Sequence, residues 1–519
     1  MVSSVGCTKE YLNETPTDAY TPSSALNSPE NMFLAINGIH REMYAQSPLD
    51  DYTPGYAGEC YIMPMLEFGA GDYLRALPGT GWFASACKWT SHTSATGSNP
   101  SWTWYQYYHI IGSVNNIINA AEGMPESDML NNVLGQAYAY RAFSHHRLVQ
   151  LFAKSPIYSD ENTELGVPIM LKTTAPYEGQ ARATVAAVYA QCESDIKAAI
   201  TYLKDVKQGN ISHITYQTAN GIAARIALTK GDFVAAATYA HEARQGLSLM
   251  SEDQYKSGFN DTDNPEWMWG AKVVADQTNY YMSWFYYIAM NFNGSFDRGT
   301  PRIINKTLFD QISATDYRRD VFLDKMPNTT VAWTGDVNSP NYDPNYPTKE
   351  EYDAAVAAVN NQYFGGSKSF KKHPYQVAKF LNQNAATIEP EDILYMRVAE
   401  MYLIEAEALA KQGGKDAEAA AVLFELVSAR DNAYTLSVNT GTALQAEILL
   451  QRRIELFGEG HRWLDMLRND EALDLTGSHA DPSYYLDGYK QDKPSVNNAW
   501  IFKIPQDEIN ANPNMVQNP

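Results

Sequence analysis

VAEMYLIEAEALAKQGGKDAEAAAVLFELVSA, residues 398–429, decides the fold. Apolar residues return every three to four positions on either side of Gly413-Gly414, the pattern of two amphipathic helices parted by a glycine break. The many alanines would let antiparallel helices approach closely. Residues 223–243, AARIALTKGDFVAAATYAHEA, repeat the plan around Gly231-Asp232. Two such hairpins predict tetratricopeptide-type packing, whose repeat is about 34 residues. The copies are degenerate and separated by long insertions. Helical periodicity extends outward over 29–46 (Met32, Ile36, Ile39, Met43), 102–121 (Ile110, Ile111, Val114, Ile117, Ile118), 130–152, 184–203, 216–247 and 443–457.

Two sections interrupt this pattern. Residues 253–390 are dense in Asn, Asp, Gly, Pro and Tyr, as in NSPNYDPNYPTKEEYD at 338–353, and 52–101 are similar. Turn formers at that density predict ordered loops with short strands or helices, and loops of this length are usually functional. The expected fold is therefore mainly α, a tetratricopeptide-like helical scaffold with an inserted loop-rich subdomain containing short strands. Its sections read as 1–16 (N-terminus and linker), 17–51 (first helical segment), 52–101 (loop-rich insert), 102–252 (scaffold), 253–390 (loop-rich subdomain), 391–470 (scaffold) and 471–519 (tail).

The chain has 519 residues, with 39 basic against 60 acidic side chains and a formal charge of −21. Such a balance offers no basic face to nucleic acid and no attraction to an anionic membrane. The longest aromatic-apolar run, 280–292, falls short of the roughly 18 residues a spanning helix needs. No HExxH, nucleophile elbow, Walker loop or intact GxGxxG occurs, and no cofactor or metal is expected. His145-His146 are adjacent on a helix, about 100° apart, which is poor metal geometry. Asp261 and Asp263 begin like a calcium loop, but Pro265 and Glu266 occupy the fifth and sixth positions, so an EF-hand is rejected and a different calcium geometry is the alternative. Cys60 and Cys87 could bridge a loop, though nothing requires it. Cys7 follows Ser4-Val5-Gly6, small residues of the kind that remain before a lipoprotein cysteine; an incidental thiol is the alternative.

Aromatic residues carry the functional signal, with 10 Trp, 35 Tyr and 18 Phe. Seven of the ten tryptophans lie in or beside the two inserts: Trp82, Trp89, Trp102 and Trp104 in one window, Trp267, Trp269 and Trp284 in the other. Trp102 and Trp104 suit a helix start, and Trp267 and Trp269 a strand. Trp82, Trp89 and Trp284, with Tyr286, are then the candidates for stacking on the C–H faces of sugars. Asp72, Arg75 and Asn291 are placed to hold hydroxyls. Both windows are poor in Lys and Arg, which favours a neutral glycan. Glu59, Glu67 and Asp72 could instead supply the carboxylate pair of a glycoside hydrolase.

Residues 452–468, RRIELFGEGHRWLDMLR, are very similar to the R-x-E-L-x-x-E-G-x-R-W-x-D-L-x-R signature of the SusD/RagB family of outer-membrane nutrient-binding lipoproteins, with Met466 where Leu is usual. The end, WIFKIPQDEINANPNMVQNP at 500–519, resembles that family's closing motif. Further similarities are YRAFSHHRLVQLF at 140–152, Gly166-Val167-Pro168-Ile169, RVAEMYLIEAEALA at 397–410, and CTKEYLNETP at 7–16, which looks like the start at an acylated cysteine. Read physically, the signature is scaffold. Arg452 and Glu455, Arg462 and Asp465, and Asp465 and Arg468 are spaced to pair on a helix, and Trp463 is expected in the core.

The resemblance implies a surface lipoprotein, held to the outer membrane through lipid on Cys7, that acts as a lid over a TonB-dependent SusC-like transporter. It implies capture of oligosaccharides, or of peptides in the RagB branch, without catalysis. Ligand residues do not transfer by motif, so the seven candidates rest on the aromatic windows. A glycan binder is the first reading. A peptide-binding lid, a glycoside hydrolase and a purely structural lid are the alternatives.

Overall fold

A computed structural model describes residues 25–45, 58–173, 178–274, 283–389, 391–486, 488 and 490–519; Cys7 lies outside them. The principal helices are α1 (Pro29–Glu42), α2 (Glu59–Ala70), α3 (Ser98–Ala120), α4 (Asp128–Phe152), α5 (Val185–Leu203), α6 (Tyr216–Lys230), α7 (Phe233–Ala243), α8 (Lys349–Tyr363), α9 (Val398–Lys411), α10 (Asp416–Val427), α11 (Gly441–Glu455) and α12 (Arg462–Asn469). The fold is mainly α, as expected. No described helix is long and apolar enough to cross a membrane.

Each hairpin forms where the sequence places it. Gly231 closes α6 in the left-handed conformation (φ +86°), and the Asp232 carboxylate then caps α7 by accepting from the Ala235 N–H. Helices α3 to α7 pack as successive neighbours, and α9 lies against both α7 and α10. Alanine dominates these seams. Ala236, Ala240 and Ala243 are buried on α7, Ala399, Ala406 and Ala410 on α9, and Ala419 and Ala420 on α10. Their small side chains allow the close approach that tetratricopeptide stacking requires.

Strands are short, and most lie in or beside the inserts; Leu473–Asp474 and Lys490–Gln491 pair separately in the C-terminal tail. Tyr73–Arg75 (β1), Arg302–Ile304 (β3), Phe322–Leu323 (β4) and Gln376–Val377 (β5) form a sheet in the order β1-β3-β5-β4. Trp267–Ala271 (β2) pairs antiparallel with Ile393–Arg397 (β6). Trp267 and Trp269 therefore lie on a strand, and Trp102 and Trp104 in the first turns of α3, all four buried.

Two expectations need correction. The first insert is not simply loop, because α2 runs through it despite Pro64; all twelve of its residues are buried. Two of the three expected signature pairs take other partners. The Arg452 guanidinium meets Asp465 at 2.8 Å, and Arg462 meets Asp72 at 3.2 Å and Glu471 at 2.8 Å. Only Asp465–Arg468 forms as the helix spacing suggests, at 2.8 Å. Trp463 is buried, as expected.

The signature also supplies two of the four acids of a buried charge network, Glu455 and Glu459. Glu455 accepts from Arg318 (2.8 Å) and Arg397 (2.6 Å) and lies 3.1 Å from Arg430. Glu266 joins Arg397 and Arg430, Glu459 joins Arg397 and Lys379, and Asp316 joins Arg318. Four cations thus meet four carboxylates where the loop-rich subdomain, α9, α11 and the turn after α10 converge. Burial opposes ionisation of Glu455, but Arg430, Arg397 and Arg318 hold its carboxyl well below the usual range. Gly458 (φ +79°) turns the chain between the two signature acids, and a Cβ there would lie 2.6 Å from the Phe380 ring.

Candidate functional site

The two aromatic windows converge. Residues 76–83 follow β1 as a loop, and Trp284–Ile288 form one turn of helix capped by the Ser283 hydroxyl. Trp82 from the first window packs edge-on against Tyr286 from the second, with ring centres 5.8 Å apart, and lies 5.3 Å from Tyr287. Beneath them Phe83 stacks between Tyr61 (5.1 Å) and Phe68 (4.9 Å). Phe83 holds φ +57°, a backbone conformation uncommon for a bulky side chain, within this close aromatic packing.

Among the seven candidates, Trp82 alone keeps appreciable exposure. Trp89 is 4% exposed and sits 4.7 Å from Trp463 and 4.6 Å from Trp500, its indole N–H donating to the Gly69 carbonyl. It belongs to the core beneath the family signature. Trp284 is 3% exposed and packs against Phe380. Tyr286 is buried against Trp82, Tyr287, Phe292 and Phe296.

The three polar candidates are engaged in holding the loops. Asp72 is buried and paired with Arg453 at 2.6 Å and with Arg462. Arg75 is buried, donates to the carbonyls of Trp82 (2.6 Å), Pro78 and Thr80, and stacks 4.4 Å from the Tyr484 ring. Its guanidinium therefore sets the shape of the loop that presents Trp82, a positioning role. Asn291 bridges to the 382–386 loop, its side chain both donating to the Asn382 carbonyl (3.0 Å) and accepting from its N–H (2.8 Å).

The carboxylates considered for hydrolysis are likewise occupied. Glu59 accepts from the Tyr107 hydroxyl (2.5 Å) and pairs with Arg147. Glu67 accepts from the backbone N–H groups of Gly460 (2.8 Å) and His461 (2.9 Å), and burial, with Asp72 nearby, pushes its carboxyl up to about 7. His145 and His146 are both buried on α4, where burial keeps them neutral. Among the described residues no cluster of His, Cys, Asp and Glu could hold a metal ion. Cys60 and Cys87 are buried free thiols, unbridged to each other.

Cavities elsewhere differ in size. One of about 30 Å³ lies between α4, α6 and α9 among Arg147, Arg225, Glu400 and Arg452, enough for water but not for a sugar. A cleft of about 530 Å³ opens between α1, Tyr140 of α4, the 210–213 turn and the paired strands β2 and β6. Nothing in the sequence marked it, because its lining is drawn from five separate segments.

Comparisons with known proteins agree with this architecture. Residues 236–519 match the family model described as the SusD family, and residues 75–228 match one described as "Starch-binding associating with outer membrane". SusD-like protein P2 of Formosa agariphila is 25% identical over 546 residues, covering 100% of this chain and 97% of the relative. SusD-like protein P38 of the same organism is 24% identical, covering 72% of this chain and 73% of the relative. A SusD-like carbohydrate binding protein from Bacteroides vulgatus superposes with a TM-score of 0.74 at 23% identity, covering 94% of this chain and 97% of the other. A SusD superfamily protein from Bacteroides thetaiotaomicron does so with a TM-score of 0.71 at 22% identity, over 95% and 100%. With the SusD model covering more than half of its length and the signature residues serving as its buried framework, the chain belongs to the SusD family.

Proposed function

We propose that the protein binds a neutral oligo- or polysaccharide at the cell surface, without catalysis, and delivers it to a TonB-dependent SusC-like transporter in the outer membrane. The observation that carries this reading is the convergence of the two aromatic windows at Trp82, which meets Tyr286 and Tyr287 while the residue stays partly exposed. An indole held edge-on by Tyr286 and packed at a tilt against Tyr287 is a rigid apolar plane, which suits a sugar's C–H face at little entropic cost. The match to a family described as starch-binding and outer-membrane-associated supports the same chemistry. Neutrality of the ligand is supported by Arg75, whose charge is turned inward onto three loop carbonyls. Lipid on Cys7 would supply the membrane attachment, and more than one acyl chain is required for stable anchoring.

Arg75 enters this proposal as the residue that shapes the Trp82 loop, while Trp284, Trp89, Asp72 and Asn291 are buried residues that fasten the inserts to the core. The test is affinity electrophoresis of the purified protein through gels cast with neutral and acidic polysaccharides. Retardation by a neutral glycan, lost in Trp82→Ala at unchanged melting temperature, is expected. Equal retardation of Trp82→Ala and the parent would overturn the site. Reducing-sugar release by the parent would overturn the non-catalytic reading. Co-purification with a TonB-dependent transporter tests the delivery step.

A further inference from the structure

Eight of the ten tryptophans are buried; Trp82 and Trp333 are not. Trp82 rests on the principal core, whereas Trp333 packs against none of the hydrophobic cores. Tyr342, Tyr346 and Tyr352 share that property: each is partly exposed and lies outside every core. Four large aromatic residues between positions 333 and 352 thus add nothing to the cores that hold the fold. Such residues outside a core mark a surface that meets a ligand.

The stretch is nevertheless built to hold its shape. The Trp333 indole N–H donates to the Tyr346 carbonyl (3.1 Å), closing residues 333–346 into a compact surface loop of the kind that is frequently functional. The Tyr346 hydroxyl donates to the Lys325 carbonyl, and the Tyr352 hydroxyl to that of Asn328 (2.9 Å). Within the loop one turn occurs twice, as Ser339-Pro340-Asn341-Tyr342 and Asp343-Pro344-Asn345-Tyr346. The Ser339 hydroxyl and the Asp343 carboxylate accept from the Asn341 and Asn345 N–H groups at 3.2 and 2.9 Å. The carbonyls of Ser339 and Asp343 accept from the Tyr342 and Tyr346 N–H groups at 3.0 and 3.1 Å. Proline in each turn fixes φ, so little freedom is left to lose on binding. The Tyr342 side chain has no partner among the described residues, and Asn341 beside it is exposed.

Two further observations indicate the occupant. Between Lys325 and Lys349 the only charged residues are Asp336 and Asp343, which disfavours an anionic ligand. The loop is also tied to the Trp82 face. Thr329 N–H donates to the Lys372 carbonyl (3.0 Å), and Lys371 N–H to the Arg298 carbonyl (2.9 Å). Arg298 belongs to the short helix Ser295–Gly299, whose Phe296 packs 6.4 Å from the Tyr286 ring that holds Trp82.

We infer that the 333–346 loop is a second contact for the neutral polysaccharide, with Trp333 and Tyr342 meeting sugar faces and the Asn341 amide a hydroxyl. The inference rests on the glycan-binding reading above and adds to it that the preferred ligand is a polymer, long enough to touch Trp82 and this loop together. Two weak contacts on one chain reinforce each other, because the second forms at the effective concentration set by the first.

The experiment pairs affinity electrophoresis through gels of starch, arabinoxylan or galactomannan with calorimetry on the trisaccharide of whichever polymer retards the parent. Tyr342→Ala and Trp333→Ala should each weaken polymer retention by about two- to tenfold, the range of one aromatic contact. Tyr342→Ala is the decisive variant, since its side chain supports no core and the melting temperature should not move. Its trisaccharide affinity should equal the parent's, whereas Trp82→Ala should lose both ligands. Parental retention in both loop variants, with Trp82→Ala still defective, would overturn this inference and leave the Trp82 site standing. Equal loss of polymer and trisaccharide in Tyr342→Ala would also overturn it, by placing the loop inside the Trp82 site. Loop variants that keep polymer retention but no longer co-purify with a TonB-dependent transporter would assign the loop to a protein partner instead. A parent retarded by none of these neutral polymers, and by no other, would remove the glycan reading and this contact with it.

Discussion

Replacing Glu455 by Gln tests whether the family signature acts through its charges. The side chain is fully buried, keeps its shape in this substitution, and loses only its negative charge. Arg318 at 2.8 Å, Arg397 at 2.6 Å and Arg430 at 3.1 Å would each lose an anionic partner, leaving the network with one uncompensated cation in a dry interior. Removing one partner of a buried pair costs about 3–5 kcal/mol, whereas an exposed pair such as Lys349–Asp353 is worth under about 1 kcal/mol. Urea unfolding of the purified chain should therefore show a clearly lowered midpoint for Glu455→Gln and almost none for Asp353→Asn. Acid should reproduce the effect. Glu455 has its folded carboxyl held below the unfolded value, so its contribution is present above the unfolded pKa of about 4.3 and is lost as pH falls through the folded value. The parent should lose stability steeply below about pH 4, and Glu455→Gln less steeply. A loss of less than about 1 kcal/mol at neutral pH would refute the reasoning, and would mean that apolar packing alone holds the subdomain to the helices.

Other substitutions probe single features. Glu67→Gln should stabilise the protein at pH 8 by up to about 3 kcal/mol and do little at pH 4, because a folded carboxyl raised to about 7 loses stability as pH climbs from the unfolded value; equal melting shifts at both pH values would contradict this. Gly458→Ala should destabilise by about 1–3 kcal/mol through its left-handed backbone and the Phe380 ring, measured by thermal melting, and a neutral result would mean that the ring yields. Arg75→Gln frees the 78–82 carbonyls, so polysaccharide retention should fall together with the order of the Trp82 indole, read as a red shift in its fluorescence; retention at parental strength would deny Arg75 its positioning role.

The helical scaffold was legible because its helices are amphipathic and their breaks carry chemistry. Met32, Ile36 and Ile39 mark α1 by their spacing, and Gly231-Asp232 announces both the end of one helix and the cap of the next. Helix α2 was illegible for the converse reason: buried on every side, its residues 59–70 show no polar face, and so no 3.6-residue period. The candidate site divides along the same line. Sequence shows that tryptophans cluster in two windows, and the structure brings those windows together at Trp82 and Tyr286. It does not show which aromatic ring closes against the core, since that depends on partners hundreds of residues away, such as Trp463 and Trp500 for Trp89. Polar candidates suffer the same ambiguity more severely. Asp72 near an aromatic loop reads as a hydroxyl ligand, yet Arg453 lies 381 positions along the chain and claims it. Local helix spacing likewise allowed Arg462 to reach Asp465, and tertiary geometry gave it Asp72 and Glu471 instead. Charged residues in a large insert are therefore poor markers of a binding face, because the insert must first be fastened to its scaffold. The partly exposed Trp82 that remains after that fastening is the one on which the proposed site rests.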